Sequence, residues 1–349
     1  MILSDLTKEE LSLYVVQELG LPKFRASQIF DAIYGGKCLE EVSNLSKDIK
    51  EKIKDVYPNY KIIRNFASKE DETQKFIVEF GDGKICECVL MKYKYGYTLC
   101  VSTQVGCRMG CKFCASTLNG LERNLSAGEI LGQVLLVNKF LGGGAKERKI
   151  TNVVMMGSGE PLDNYDNSCK FINLLSAEEG MNISQRNISL STCGLVDKIK
   201  QLKEEKFNIT LTISLHASCD EKRREVMPIA NRWLIEEIIS ACREYFETTG
   251  RRIYFEYTLI KGVNDSQDDV NRLAKLLKGL MCHVNIIPLN VVKERNLQAT
   301  NRAEAYKFAD ALEEKGVSAT VRRTMGEDIE GACGQLRNKI LKGEKWKGL

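Results

Sequence analysis

Apolar positions over the first 75 or so residues recur at helical spacing. Leu11, Tyr14, Val15 and Leu19 share one face behind a Thr7-x-x-Glu10 capping box, and Gly20 and Pro22 end that helix. Ile29, Phe30 and Ile33 mark a second helix before Gly35-Gly36, and Ile49, Ile53 and Val56 a third before Pro58. Residues 76–97 alternate with period two around Gly81-Asp82-Gly83, which predicts a β-hairpin. From residue 98 the pattern changes to strand, loop, helix, repeated. Apolar runs at 98–102, 151–156, 187–190, 209–215, 253–259, 284–288 and 319–323 predict strands, with helical stretches between them at 127–140, 234–246, 270–277 and 303–314. Strands alternating with amphipathic helices imply a parallel sheet with crossover helices. The expectation is an α/β fold, a partial TIM-like (βα)6 barrel, with an open doubly wound sheet as the structural alternative. The pattern divides the chain into a helical accessory unit at 1–75, a hairpin linker at 76–97 and a barrel with a basic tail at 98–349.

With 43% apolar and 28% charged residues, the 349-residue chain belongs with those that bury a large core. Its formal net charge of +4 neither demands nor excludes a polyanionic partner. The start, MILSDLTKEEL, lacks the basic segment and apolar run of a signal peptide, and no run is long enough to span a bilayer. A cytosolic protein without membrane contact is expected. There, thirteen cysteines do not form a disulfide framework, because cellular reductants keep thiols free. Cys38, Cys86, Cys88, Cys169, Cys193, Cys219, Cys242 and Cys282 are expected to pack as small apolar side chains.

Parallel α/β folds place chemistry at the C-terminal ends of their strands. Polar residues stand there at nearly every expected position: Ser102-Thr103-Gln104, Gly157-Ser158-Gly159-Glu160-Pro161, Ser191-Thr192, Ser214-Leu215-His216 and Pro288-Leu289-Asn290. The first runs directly into Cys107-Arg-Met-Gly-Cys111-Lys-Phe-Cys114. Three thiolates within eight residues can converge on one centre, and thiolate ligation favours zinc or iron–sulfur. Structural zinc wants four closed ligands, whereas the two histidines, His216 and His283, are remote in sequence. A [4Fe-4S] cluster normally takes four cysteines, so three leave one iron open to a substrate.

This spacing resembles the signature of the radical S-adenosylmethionine (SAM) superfamily. The resemblance implies a [4Fe-4S] cluster on Cys107, Cys111 and Cys114 whose open iron chelates SAM and whose electron cleaves it to methionine and a 5′-deoxyadenosyl radical. Residues 157–161 resemble the superfamily's glycine–glutamate–proline strand end, with Gly159 and Glu160 at the SAM amino group.

The likeness narrows to the RlmN/Cfr family of RNA adenosine methyltransferases. It is carried by Cys100-Val-Ser-Thr-Gln-Val-Gly-Cys107, Cys114-Ala-Ser-Thr, the FRASQIF stretch at 24–30, Met155-Met156-Gly157, Ser214-Leu215-His216, Gly262-Val-Asn-Asp265, Ile287-Pro288-Leu-Asn290 and Gly331-Ala-Cys333-Gly-Gln-Leu. It covers nearly the whole chain.

By matching position, Cys333 takes a methyl group from one SAM, and a second SAM in the same turnover makes the radical that takes hydrogen from that methyl. The resulting carbon radical adds to the adenine. Glu87 matches the proton acceptor. Cys100 matches the thiol that frees the product by attacking the Cys333 sulfur, in thiol–disulfide chemistry. Ser191, Ser214, Leu215, His216 and Asn290 match SAM contacts. The resemblance further implies 23S rRNA and tRNA substrates, an electron donor such as flavodoxin or ferredoxin, and a monomer.

The acidic spacer Gly326-Glu-Asp-Ile-Glu-Gly-Ala-Cys333 and Pro288 resemble the C2-methylating RlmN branch rather than the C8-methylating Cfr branch. Ser158, in place of the family's usual Met, and Val291-Val292 after Asn290 depart from the pattern. Arg322-Arg323 and the tail residues Arg337, Lys339, Lys342, Lys345, Trp346 and Lys347 suit phosphate and base contacts. The competing readings are a radical SAM enzyme acting on a small molecule and a zinc-stapled RNA-binding scaffold.

Overall fold

Thr7 and Glu10 form the reciprocal cap. Glu10 N–H donates to Thr7 Oγ1 at 3.1 Å and Thr7 N–H to the Glu10 carboxylate at 2.8 Å, which starts helix α1 (Lys8–Gln17). Helices α2 (Phe24–Tyr34) and α3 (Lys47–Ile53) follow. A computed structural model describes residues 1–292 and 294–329; Cys333 and the basic tail lie outside the described residues.

The strand after α3 differs from expectation. Residues 60–67, within the stretch read as helical, form strand β1 (Tyr60–Ala67). It pairs antiparallel with β2 (Gln74–Phe80), and β2 with β3 (Ile85–Tyr93) about the Gly81-Asp82-Gly83 turn. The hairpin does not stop there. β3 pairs antiparallel with β4 (Gly96–Cys100), and β4 starts the parallel series.

The chain then makes a short two-stranded ribbon, β5 (Gln104–Gly106) with β6 (Leu121–Asn124), and enters α4 (Ala127–Phe140). After it come β7 (Ile150–Met155), α5 (Tyr165–Ser176), β8 (Ile188–Thr192), α6 (Val196–Glu204) and β9 (Thr210–Ser214). The series ends with α7 (Asp220–Val226), α8 (Ile235–Thr249), β10 (Ile253–Leu259), α9 (Gln267–Leu277), β11 (Cys282–Pro288), α10 (Arg302–Glu314) and β12 (Ala319–Val321). One sheet runs β1-β2-β3-β4-β7-β8-β9-β10-β11-β12, and every pairing from β4 to β12 is parallel.

This is the parallel α/β sheet with crossover helices read from the sequence, carrying an antiparallel extension on its first edge. The two ends of the sheet approach each other. Gly326 N–H donates to Asp71 at 2.9 Å and the Asp328 carboxylate accepts from Ser68 Oγ at 2.7 Å, so the segment after β12 meets the β1–β2 turn.

The N-terminal segment shares one apolar core with α4, α5 and the sheet: Leu3, Leu11, Ile29 and Phe30 belong to the same buried cluster as Leu131, Leu135, Phe171, Phe76 and Val153. Two glycines one turn apart on α4 allow the approach. A Cβ on Gly128 would stand 2.6 Å from the Ser4 carbonyl carbon, and one on Gly132 would stand 2.6 Å from the Tyr60 ring. Gly128 N–H also donates to Asp5 at 2.8 Å. Because the Gly128 obstruction is backbone, Gly128→Ala is expected to destabilise the protein by about 1–3 kcal/mol, like other overpacking changes. Thermal unfolding would register this as an earlier transition, and an unchanged midpoint would contradict the packing described.

Candidate active site

The cysteine loop grows from the β5–β6 ribbon. Cys107 N–H donates to Gly120 O at 2.9 Å, and Gly106 has φ +81°, where a Cβ would fall 2.0 Å from that oxygen. The Thr117 hydroxyl donates to the carbonyls of Cys111 (3.1 Å) and Cys114 (2.9 Å), and Lys112 N–H donates to Val226 O of α7 at 2.9 Å. Cys107 and Cys111 are buried, whereas Cys114 is half-buried. Burial, with smaller contributions from neighbouring thiols and acids, pushes the Cys107 thiol up to about 12 and the Cys111 thiol well above its ordinary value. Cys107 and Cys114 both act on Cys111, so the three form one electrostatic group. Among the described residues no three His, Cys, Asp or Glu side chains are gathered as a single metal ion needs.

Beside this loop stand the strand ends. Gly157 and Gly159 lie against the chain after β4: a Cβ on Gly157 would meet Val101 O at 2.6 Å, and one on Gly159 (φ +110°) would meet Gln104 N at 2.7 Å. Ser158 keeps this fit with a small buried side chain, its N–H donating to Ser102 Oγ at 2.9 Å. The Glu160 carboxylate is buried and accepts from Cys193 N–H at 2.7 Å and Leu162 N–H at 3.0 Å, which ties the ends of β7 and β8. Burial raises its pKa against these hydrogen bonds, and carboxylate oxygens retain further acceptor capacity. Ser191 and Ser214 hydroxyls face each other at 3.4 Å. Leu215 is fully buried and Asn290 is exposed on a cavity wall.

His216 sits in the left-handed region (φ +56°), with its ring edge-on to Phe113 of the cysteine loop at 4.5 Å. Its Nδ1 accepts from Thr258 N–H at 2.9 Å, which leaves the proton of the neutral ring on Nε2. Burial, and then Arg223, lowers its pKa to about 3. The unfolded chain therefore binds a proton below about pH 6.5 that the folded chain refuses. His216 stabilisation is complete above that pH and falls by about 1.4 kcal/mol per unit on acidification towards pH 3. Anaerobic urea unfolding at pH 7 and pH 5.5 should show this extra loss in wild type and not in His216→Asn; parallel slopes would contradict it.

A cavity of about 400 Å³ opens among these elements, within the range of ~300–1,000 Å³ typical of ligand pockets. Cys100 at the end of β4, Cys114, Met156, Asn290, Val291, Val292 and Arg322 all line it. Val89 and Met91 of β3 form its floor with Cys100. Glu87 points to the same face of β3, one alternation further along. It is buried and ion-paired to Lys75 Nζ at 2.9 Å, a partner that sequence reasoning missed because a Lys in β2 reads as a solvent-facing side chain. Among the eight cysteines expected to pack as apolar side chains, Cys38 is exposed and Cys219 half-buried; the rest are buried.

Residues 101–277 match the family model of the radical SAM superfamily, and residues 1–57 match that of the ribosomal RNA large subunit methyltransferase N-terminal domain. A "Probable dual-specificity RNA methyltransferase RlmN" of Clostridium perfringens (strain SM101 / Type A) is 51% identical over 349 residues, covering 98% of each chain. Its counterpart in Lachnospira eligens is 49% identical, covering 97% of this chain and 96% of the relative. This chain belongs to the RlmN family of radical SAM methyltransferases. The crystal structure of a radical SAM methyltransferase from Sphaerobacter thermophilus has the same fold, at 41% identity and a TM-score of 0.89, covering 96% of this chain and 98% of that one.

Radical SAM membership implies a [4Fe-4S] cluster and SAM, and the residues of this RlmN-family chain fit both. The ligands of a cuboidal cluster each bind a different iron, so three thiols need not crowd one point. Metal binding would deprotonate the buried thiols that burial now keeps neutral. Arg223 of α7 supports the fit. It is fully buried and donates to the carbonyls of Cys193 (2.6 Å), Leu215 (3.1 Å) and Ser214 (3.4 Å), while its Nη1 has no hydrogen-bond partner among the described residues. Arg223 also acts on the Cys111 thiol. A buried cation with an unpaired donor beside a thiol loop suits an anionic group, which a thiolate-ligated cluster is. Arg223 lies in the charged run Asp220-Glu-Lys-Arg223-Arg, which reads as a solvated helix face.

Proposed function

We propose that this protein methylates C2 of adenosine in 23S rRNA and of the tRNA adenosine 3′ of the anticodon, through a methylated Cys333. The observation that carries this reading is a cavity lined by both Cys100 and Cys114, which would put the product-releasing thiol beside the radical-generating loop. The names of the full-length relatives support RNA as the substrate class. When bound on Cys107, Cys111 and Cys114, the cluster supplies the electron that cleaves SAM to a radical able to take a hydrogen atom.

The chain's own residues do the rest. The Glu160 carboxylate, the Ser191–Ser214 pair, Leu215, His216 and Asn290 hold SAM, with Gly159 keeping side-chain bulk away. Cys333 carries the methyl group to the adenine. Glu87, ion-paired to Lys75, takes the ring proton of the adduct, whose surplus electron would return to the cluster that supplied it; the Cys100 thiolate then attacks the Cys333 sulfur, forming a sulfur–sulfur bond as the sulfur–carbon bond breaks, and the freed carbon takes a proton to become the methyl group. The helical unit and the basic residues of the C-terminal tail sequence contact the RNA. Such a protein works as a cytoplasmic monomer fed by flavodoxin or ferredoxin.

The test is mass spectrometry of nucleosides from RNA treated with anaerobically reconstituted protein. 2-Methyladenosine is expected. 8-Methyladenosine would move the chain to C8 chemistry, and the absence of any methyladenosine would overturn the reading.

A further inference from the structure

At the mouth of the cavity, β3 and β4 are joined by a two-residue turn, with Tyr93 paired to Gly96. Gly96 is held at φ +126°, where a Cβ would meet the Thr151 side chain at 2.6 Å, so the turn is seated firmly on the start of β7. Its sequence, Lys92-Tyr93-Lys94-Tyr95, alternates cation and aromatic. Tyr93 and Tyr95 stack, with ring centroids 5.0 Å apart and planes 5° from parallel.

The two rings have different surroundings. Tyr93 is half-buried, packs on the Val89–Met91–Cys100 cluster and lines the cavity. Tyr95 is 63% exposed, which is a large aromatic surface to leave in water. Lys94 is exposed beside it, and the exposed Arg322 and Arg323 line the same cavity; Arg322 lies 3.8 Å from Glu256, and Arg323 has no ion pair among the described residues. The Tyr93 hydroxyl is within electrostatic reach of both arginines.

We infer that Tyr93 and Tyr95, with Lys94, Arg322 and Arg323, form a nucleotide subsite that stacks an unpaired RNA base next to the target adenosine and neutralises its phosphates. The inference rests on the RNA reading above and extends it to residues outside the SAM and cluster sites. A base that enters the cavity must leave its helical stack, which strips its neighbour of a stacking partner. The stacked aromatic pair beside the cavity replaces that partner, and stacking accepts any base because each has a π-face. The cations alone would serve any polyanion; the stacked rings select an unpaired base.

A thermodynamic cycle tests this on cluster-loaded protein. Binding is measured for an anticodon stem–loop RNA carrying the target adenosine, intact or with an abasic nucleotide on either side of the target. Tyr95→Ala is expected to weaken binding of the intact RNA by about 5- to 150-fold, the usual range for one base–aromatic stack, and Tyr95→Phe by less than about twofold. One of the two abasic RNAs should weaken wild-type binding similarly and leave Tyr95→Ala no weaker than before, because both changes remove the same stack. Binding by Tyr95→Ala within about twofold of wild type would overturn the subsite, as would abasic and Tyr95→Ala effects that simply add. Failure of the RNA reading itself is separate: wild-type protein would then form no methyladenosine in the intact stem–loop. Exposed Tyr95 carries no core packing, and wild-type cluster absorbance verifies that each variant is folded.

Discussion

Cys111→Ala is expected to lose the iron–sulfur chromophore and to reduce RNA methylation by at least about 10³-fold, some 4 kcal/mol of barrier. The reason is local. The three thiols form one group on a loop whose conformation is set by Gly106, Thr117 and the α7 contact, and two remaining thiolates cannot hold a cuboidal cluster with one open iron. The variant should remain folded, since Cys111 contributes little core volume, and its circular dichroism should match that of wild type without its cluster. A variant that retained a four-iron absorbance, or reconstituted with one zinc per chain and kept methylation, would contradict this assignment.

Cys100→Ala has a different expected result: the protein should attach itself covalently to its RNA. Cys100 is 5% exposed and its accessible side faces the cavity. If its thiol frees the product, its loss leaves every earlier step intact and stops the last one. A protein–RNA adduct should then accumulate to near one per chain, visible as a slow band that RNase removes, while methyladenosine falls by at least about 10²-fold, or about 2.7 kcal/mol. The adduct should be absent in Cys100→Ala/Cys111→Ala, because no radical is made there. Wild-type turnover by Cys100→Ala would leave that thiol with only a packing role.

Both results depend on residues that could be read before the fold was known, and the physical reason is proximity in sequence. Cys107, Cys111 and Cys114 lie in one loop, so their spacing alone limits what they bind. The parallel strands were legible because buried strands are continuous apolar runs, and polar residues stand at their ends. β1 was not legible. It is an edge strand rich in Lys61, Arg64 and Asn65, mostly exposed, and such composition reads as loop. The joining of the N-terminal segment to α4 was also hidden, because it depends on Gly128 and Gly132 meeting Ser4 and Tyr60 across more than seventy positions of chain. Lys75 and Arg223 escaped for the opposite reason: charged residues in a strand or helix look solvated, yet both are fully buried, Lys75 against Glu87 and Arg223 against the carbonyls of Cys193 and Leu215.

The stacked tyrosines belong to the same class of hidden feature. Lys92-Tyr93-Lys94-Tyr95 reads as an ordinary turn, and only the pairing of Tyr93 with Gly96 brings the rings together at the cavity.

The central claim, that Cys333 carries the methyl group and that the radical acts on that group, is tested most directly by isotope. RNA is treated with the reconstituted protein, first stripped of any prior methyl, and SAM bearing a trideuterated methyl group; its nucleosides are then weighed. The account predicts 2-methyladenosine whose methyl holds two deuterium atoms, since one is removed as hydrogen before the carbon joins the ring. A methyl that kept all three deuterium atoms would mean direct transfer from SAM and would contradict it.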